Sequence, residues 1–147
     1  MFLSGYMLKP KYLYHGSPKK IVGNELIPHQ AHDLGKRPEN LHKAVYATSE
    51  RKLAIAMAII SSKGVIYSSL RFSSNPPGII YQGWLEQEKI YLYTLPVDTF
   101  QPSGHGGKQW ISFQPVQPVK VEELLIKDYL YLVRQATREE FEHWIKK

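Results

Sequence analysis

The chain contains no cysteine. That absence excludes disulfides, thiol nucleophiles, thiolate-held zinc and iron–sulfur clusters together, and it suits a reducing compartment. Long apolar runs are missing too. The longest, from Leu53 to Ile60, has eight residues, whereas a bilayer-spanning helix needs about 20. The apolar residues 1–8 precede Lys9 and Lys11, the reverse of the charge-first order of a secretory signal. These features predict a cytoplasmic protein with no membrane partner. No segment recurs at a fixed period, so solenoids and propellers are excluded. No Gly-x-Gly-x-x-Gly or phosphate-loop pattern occurs, which argues against Rossmann and P-loop folds.

What is present is enough for a core. The 147 residues are 43% apolar and 12% aromatic, so a single domain over 1–147 is expected. Lys and Arg number 19 against 13 Asp and Glu, a net charge of +6, and a basic excess favours an anionic partner. Short apolar and aromatic runs predict strands over 11–15, 44–48, 65–72, 79–85, 90–95, 110–113 and 119–126. Breaks are expected at Asn75-Pro76-Pro77-Gly78 and over 101–107, and 83–90 reads as the tip of a hairpin. Residues 129–133 fit either a strand or a helix. Residues 50–61 predict a helix that is apolar all round from Leu53 to Ile60, hence buried. Thr48 or Ser49 is positioned to cap it, with Glu50 in its first turn. A second helix opens on the capping box Thr137-Arg138-Glu139-Glu140, with Phe141, Trp144 and Ile145 forming one apolar face. Many short strands with two helices make the class α+β: mainly antiparallel, split sheets around a buried helix.

Three short units carry chemical information. Tyr14-His15-Gly16-Ser17 sets an imidazole and a hydroxyl at a strand end, beside backbone that a ligand can approach closely. The same tetrapeptide also fits a plain strand-ending turn with a surface histidine. Val45-Tyr46-Ala47-Thr48 leads into the apolar helix. Tyr46, 31 residues after His15, is either a core tyrosine or a ring on which a flat heterocycle stacks. Lys108-Gln109-Trp110-Ile111-Ser112, followed by Pro115-Val116-Gln117-Pro118, reads by itself as an ordinary strand after a Gly-rich loop.

In this order and spacing, the three units resemble the ADP-ribosyltransferase superfamily, in the diphtheria-toxin and poly-ADP-ribose-polymerase branch with its His-Tyr-Glu triad. The resemblance spans roughly 12–121, and between 64 and 100 it is a strand pattern only. It implies NAD as substrate and a transferase or NAD-binding function. It also implies that His15 bonds the nicotinamide ribose, that the Gly16 backbone pairs with the carboxamide, and that Tyr46 stacks on the nicotinamide ring. Gln109 occupies the place of the family's catalytic glutamate. A carboxylate there would stabilise the positive charge that develops as the glycosidic bond opens; a neutral amide does so less. Glu86, Glu88, Glu122 and Glu123 stand at no motif position.

Other readings come from the remaining residues. His29, His32 and His42 share a stretch, 29–43, with Asp33 and Glu39, where a metal site is conceivable but a solvated loop more ordinary. Lys36, Arg37 and Lys43 in that stretch offer positive charge to a dinucleotide's phosphates. Ser17 has no local base and matches no hydrolase elbow. The acceptor of a transfer would be a protein or a nucleic acid. The competing functions are a basic nucleic-acid-binding module, or the RNA 2′-phosphotransferase branch of the same fold, although Lys and Arg are spread along the chain. A protein-interaction domain with structural His15 and Tyr46 is the third class.

Overall fold

The structure, a computed structural model, describes residues 9–30 and 43–146. It is α+β, with two mainly antiparallel sheets. The larger sheet runs β7 (Gln101–Pro102), β8 (Gln109–Ser112), β3 (Lys43–Thr48), β1 (Tyr12–Ser17), β6 (Lys89–Pro96) and β9 (Lys120–Leu125), with β2 (His29–Gln30) paired to β3 off this path. The smaller runs β10 (Val133–Gln135), β5 (Gly78–Gly83) and β4 (Val65–Leu70). Helix α1 spans Arg51–Ile60 and helix α2 spans Arg138–Ile145. No helix among the described residues is long and apolar enough to cross a membrane.

Contacts divide the chain into two compact units, one of residues 1–15, 21–50 and 93–120, the other of 16–20, 51–92 and 121–147. In the first unit the core is Leu13, Val45, Ala47, Tyr93, Leu95, Phe100, Trp110 and Ile111, all buried. Strands β3 and β8 supply much of it because both faces of each strand are largely covered. All four β8 residues are buried, and in β3 only Lys43 is exposed. An isolated bridge between Leu26 and Val116 adds two backbone bonds, at 2.8 and 2.9 Å, and buries both side chains.

In the second unit α1 packs against β4 and β5. Its all-apolar sequence is explained by burial: seven of its ten residues are buried, and Met57 is the one large apolar exception. The last carbonyls are satisfied by hydroxyls, with Ser62 Oγ donating to Ile59 O at 2.6 Å and Ser68 Oγ to Ile60 O at 2.9 Å. Orphan carbonyls at a helix end require such partners when buried. Gly16 belongs to this packing. A Cβ at Gly16 would lie 1.8 Å from the Ala54 carbonyl oxygen and 3.0 Å from the Ala58 Cβ, so the strand meets the helix backbone where no side chain fits.

Helix α2 begins with the expected capping box: Glu140 N donates to Thr137 Oγ1 at 3.1 Å and Thr137 N donates to Glu140 Oε1 at 2.9 Å. Of its apolar face, Trp144 stacks on Tyr81 at 5.3 Å and packs near Tyr67 and Phe141, whereas Ile145 is exposed.

Several expectations need correction. Residues 83–90 do not form a hairpin tip, since β5 and β6 belong to different sheets. Gly83, at φ 99°, turns the chain, and Trp84 N and Glu86 N donate to Gly64 O and Lys63 O. Glu50 precedes α1, which has no acid in its first turn. Its amide donates to Thr48 Oγ1 at 3.1 Å and its carboxylate pairs with Lys108 at 3.6 Å. His29 lies in a strand, not in a loop, while His32, Asp33, Lys36, Arg37, Glu39 and His42 lie outside the described residues. The 101–107 break holds the short strand β7 and a 3-10 turn at His105–Gly107. Residues 129–133, left between strand and helix, divide between the 3-10 stretch Ile126–Leu132 and the start of β10.

Candidate functional site

The sequence picks out His15, Tyr46 and Gln109, and all three fall on consecutive strands of the first unit. In the sheet order β8-β3-β1, each strand is the direct neighbour of the next. The β3–β8 register pairs Tyr46 with Ile111 and Thr48 with Gln109. Side chains alternate along a strand, so Tyr46, Thr48, Gln109 and Ile111 share one face, and Gln109 is the diagonal neighbour of Tyr46.

His15 meets Tyr46 directly. Its Nδ1 lies 2.6 Å from the Tyr46 carbonyl oxygen. A carbonyl only accepts, so Nδ1 carries the hydrogen and donates. The imidazole is half-buried. Burial holds its pKa below the ordinary 6.5; the bond to Tyr46 opposes that shift and the nearby His29 adds to it. His15 is therefore a neutral ring at neutral pH, with its lone pair on Nε2.

Two further rings complete the group. His29 and His15 are edge-to-face with centroids 6.4 Å apart, and His29 and Tyr46 are edge-to-face at 6.3 Å. The Tyr93 ring lies 6.2 Å from His15 and is fully buried, with its hydroxyl accepting from Ile21 N at 2.8 Å. The sequence gives no sign of Tyr93 here, and it offers His29 only as part of the 29–43 loop. Tyr93 hides within an alternating strand, and His29 sits in a two-residue strand too short to show a period.

Gln109 departs from a substrate-facing residue. It is buried, and its Nε2 donates to the Ser103 carbonyl oxygen at 3.1 Å. Ser103 N in turn donates to the Gln109 carbonyl oxygen at 2.7 Å. The amide thus closes the 103–109 turn on itself. The rest of that strand motif also has local work: Trp110 Nε1 donates to Gly107 O at 3.1 Å, and the buried Ser112 hydroxyl bonds Thr99 Oγ1 at 2.7 Å.

The remaining candidates are held elsewhere. Ser17 Oγ accepts from Lys19 N at 3.2 Å in a local turn. Glu86 accepts from Trp84 Nε1 at 2.7 Å, Glu122 pairs with Arg51 at 2.8 Å, and Glu123 with Lys89 at 3.4 Å. A cavity of about 430 Å³ lies in the second unit, lined by Arg71, Tyr81, Trp144 and other α2 residues but by none of His15, Tyr46 or Gln109. Among the described residues, no three His, Asp or Glu side chains stand together as a metal site.

Compared with known proteins, the chain matches no family model, no curated protein and no solved structure.

Proposed function

We propose that the chain is an ADP-ribosyltransferase-like protein that binds NAD at His15 and Tyr46, with Gln109 in the place of the catalytic carboxylate. The observation that carries this reading is the adjacency of β1, β3 and β8, which brings residues far apart in sequence onto three neighbouring strands. The chemistry of each residue agrees with it. A neutral His15 whose Nδ1 donates to Tyr46 O has Nε2 as an acceptor for a ribose hydroxyl. The half-buried Tyr46 ring offers a face for the nicotinamide. The Gly16 backbone is the carboxamide partner in this reading, although packing of α1 already accounts for a glycine there.

Gln109 sets the expected pace. Breaking the glycosidic bond sends its electron pair to nicotinamide and leaves an oxocarbenium-like ribose. A carboxylate stabilises that charge and an amide does so less, a difference of about 100- to 1000-fold in rate. The amide is moreover engaged with Ser103. The reading is therefore NAD binding with slow cleavage.

Calorimetric titration of NAD tests it. Tyr46→Ala should weaken binding more than Tyr46→Phe, because Phe keeps the ring face, a contact of about 0.5–1.5 kcal/mol beyond area burial. His15→Ala should weaken it as well. An absence of binding by the wild type, or equal losses for the two Tyr46 variants, would overturn the stacking role.

A further inference from the structure

We propose that the cavity beside α2, in the second unit, binds a phosphomonoester: a small molecule with a phosphate group at one end and an apolar body at the other. The proposal stands apart from the NAD reading, since none of His15, Tyr46 and Gln109 lines this cavity.

The space is of the right size. It measures about 430 Å³, and small-molecule pockets run from about 300 to 1,000 Å³. One side is sheet, with Tyr81 on β5 and Arg71 just after β4; the other is α2. The aromatic part of the wall is assembled without a ligand. Trp144 stacks on the Tyr81 ring at 5.3 Å with planes at 16°, and the Tyr81 hydroxyl bonds Ser69 Oγ at 3.1 Å. A wall already in place costs a ligand less ordering.

The sign of the ligand follows from which charged groups are already engaged. Glu140 is bound by Arg134 through two bonds, at 2.6 and 2.8 Å. Glu142 accepts from Arg138 Nε at 3.2 Å. Glu139 is the one lining carboxylate left without a cation among the described residues. The lining donors are less committed. Arg71 reaches the Tyr81 hydroxyl and Glu140 only at 3.4 Å each, so most of its N–H groups are unspent. His143 and Lys146, neighbours at i and i+3 on α2, make no hydrogen bond or ion pair with a described residue. Counting the two arginines that engage the acids, four cations face three carboxylates before His143 is added. A phosphate matches this set better than a carboxylate does. It brings three terminal oxygens to a guanidinium fork, an imidazole and an ammonium group, and the fork takes two of them side by side. Tyr81 and Trp144 are left for the organic body.

The experiment is calorimetric titration of the intact chain with phenyl phosphate, inorganic phosphate, benzoate and benzylamine. Phenyl phosphate should bind about tenfold or more tighter than inorganic phosphate, because its ring is buried, and tighter than benzoate. Benzylamine should give no heat, and added salt should weaken phenyl phosphate binding. Arg71→Ala should weaken it about tenfold or more, and Arg71→Lys, which keeps the charge and loses the fork, by less. Lys146→Ala should cost about two- to fivefold. Lys146 is exposed and holds nothing in the fold, so that variant decides the matter should Arg71→Ala unsettle α2. Absence of heat with phenyl phosphate, or undiminished binding by the Arg71 and Lys146 variants, overturns the site. Benzoate binding as tightly as phenyl phosphate overturns the phosphate assignment, and binding of benzylamine overturns the sign of the ligand.

Discussion

His15 Nδ1 lies 2.6 Å from the carbonyl oxygen of Tyr46, which ties the end of β1 to the middle of β3 through a side chain. The bond fixes the tautomer, while burial outweighs its opposing pull and holds the ring's pKa below the ordinary 6.5. The sign of the pH dependence follows. The unfolded chain titrates this histidine near 6.5 and the folded chain below it, so at acidic pH the unfolded state holds more protons. The contribution of His15 to stability is full above about 6.5 and is lost as pH falls through the folded pKa. Denaturant midpoints followed from about pH 8 to about pH 5 should decline for the wild type. His15→Gln, whose amide also donates to a carbonyl, should show a flatter profile; equal slopes would contradict a ring held neutral in the folded state.

Gly16 is required by α1. A Cβ there would sit 1.8 Å from the Ala54 carbonyl oxygen and 3.0 Å from the Ala58 Cβ, and neither is the end of a flexible side chain that could give way. Gly16→Ala should destabilise the fold by about 1–3 kcal/mol, in the range of overpacked cores. Thermal and denaturant unfolding measure this. A loss of NAD binding with undiminished stability would assign the glycine to the ligand instead.

Glu140 joins the start of α2 to Arg134, with two bonds at 2.6 and 2.8 Å. The guanidinium holds its carboxyl down to about 2, with the Thr137 amide adding to the effect. Its stabilising contribution is full above the ordinary 4.5 and fades as pH falls towards about 2. Protection of the α2 amides against hydrogen exchange, taken relative to their intrinsic rate at each pH, should therefore fall in acid in the wild type, and more weakly so in Glu140→Gln. Thr137→Ala should cost about 0.5–2 kcal/mol, the usual value of a lost cap.

Much of this architecture is legible in the sequence because it depends on local chemistry. The all-apolar run in α1 announces burial, and the Thr137–Glu140 spacing announces a helix start. The 83–90 segment fails for a physical reason: Gly83 reads equally well as a hairpin turn and as a left-handed residue that sends the chain to another sheet. His29 fails because two residues paired to β3 leave no periodic trace. At the site, spacing and order bring His15, Tyr46 and Gln109 to notice. The bond from Gln109 to Ser103 is invisible, since nothing in a Gly-rich loop marks which carbonyl a side-chain amide will meet.

That bond supplies the last prediction. Gln109 Nε2 donates to Ser103 O at 3.1 Å inside a residue that is 7% exposed. Gln109→Glu replaces the donor by an oxygen, so an ionised carboxylate would face a carbonyl, acceptor against acceptor. The loss should be about 1–3 kcal/mol of stability at neutral pH, as for other broken buried hydrogen bonds. A protonated carboxyl donates again. The folded-state pKa of the introduced acid should therefore rise above its unfolded value, and the variant should regain stability as pH falls. On the NAD reading the same change has a second effect. A carboxylate repelled by Ser103 O is available to the ribose, and nicotinamide release should rise about tenfold or more while NAD affinity changes little, because the gain arises in the transition state. Unfolding curves across pH and nicotinamide release, measured on one preparation, separate the two. A pH-independent stability equal to the wild type would remove the Ser103 bond as the reason for an amide at this position. A destabilised variant with no gain in release would leave that bond standing and remove Gln109 from the catalytic position.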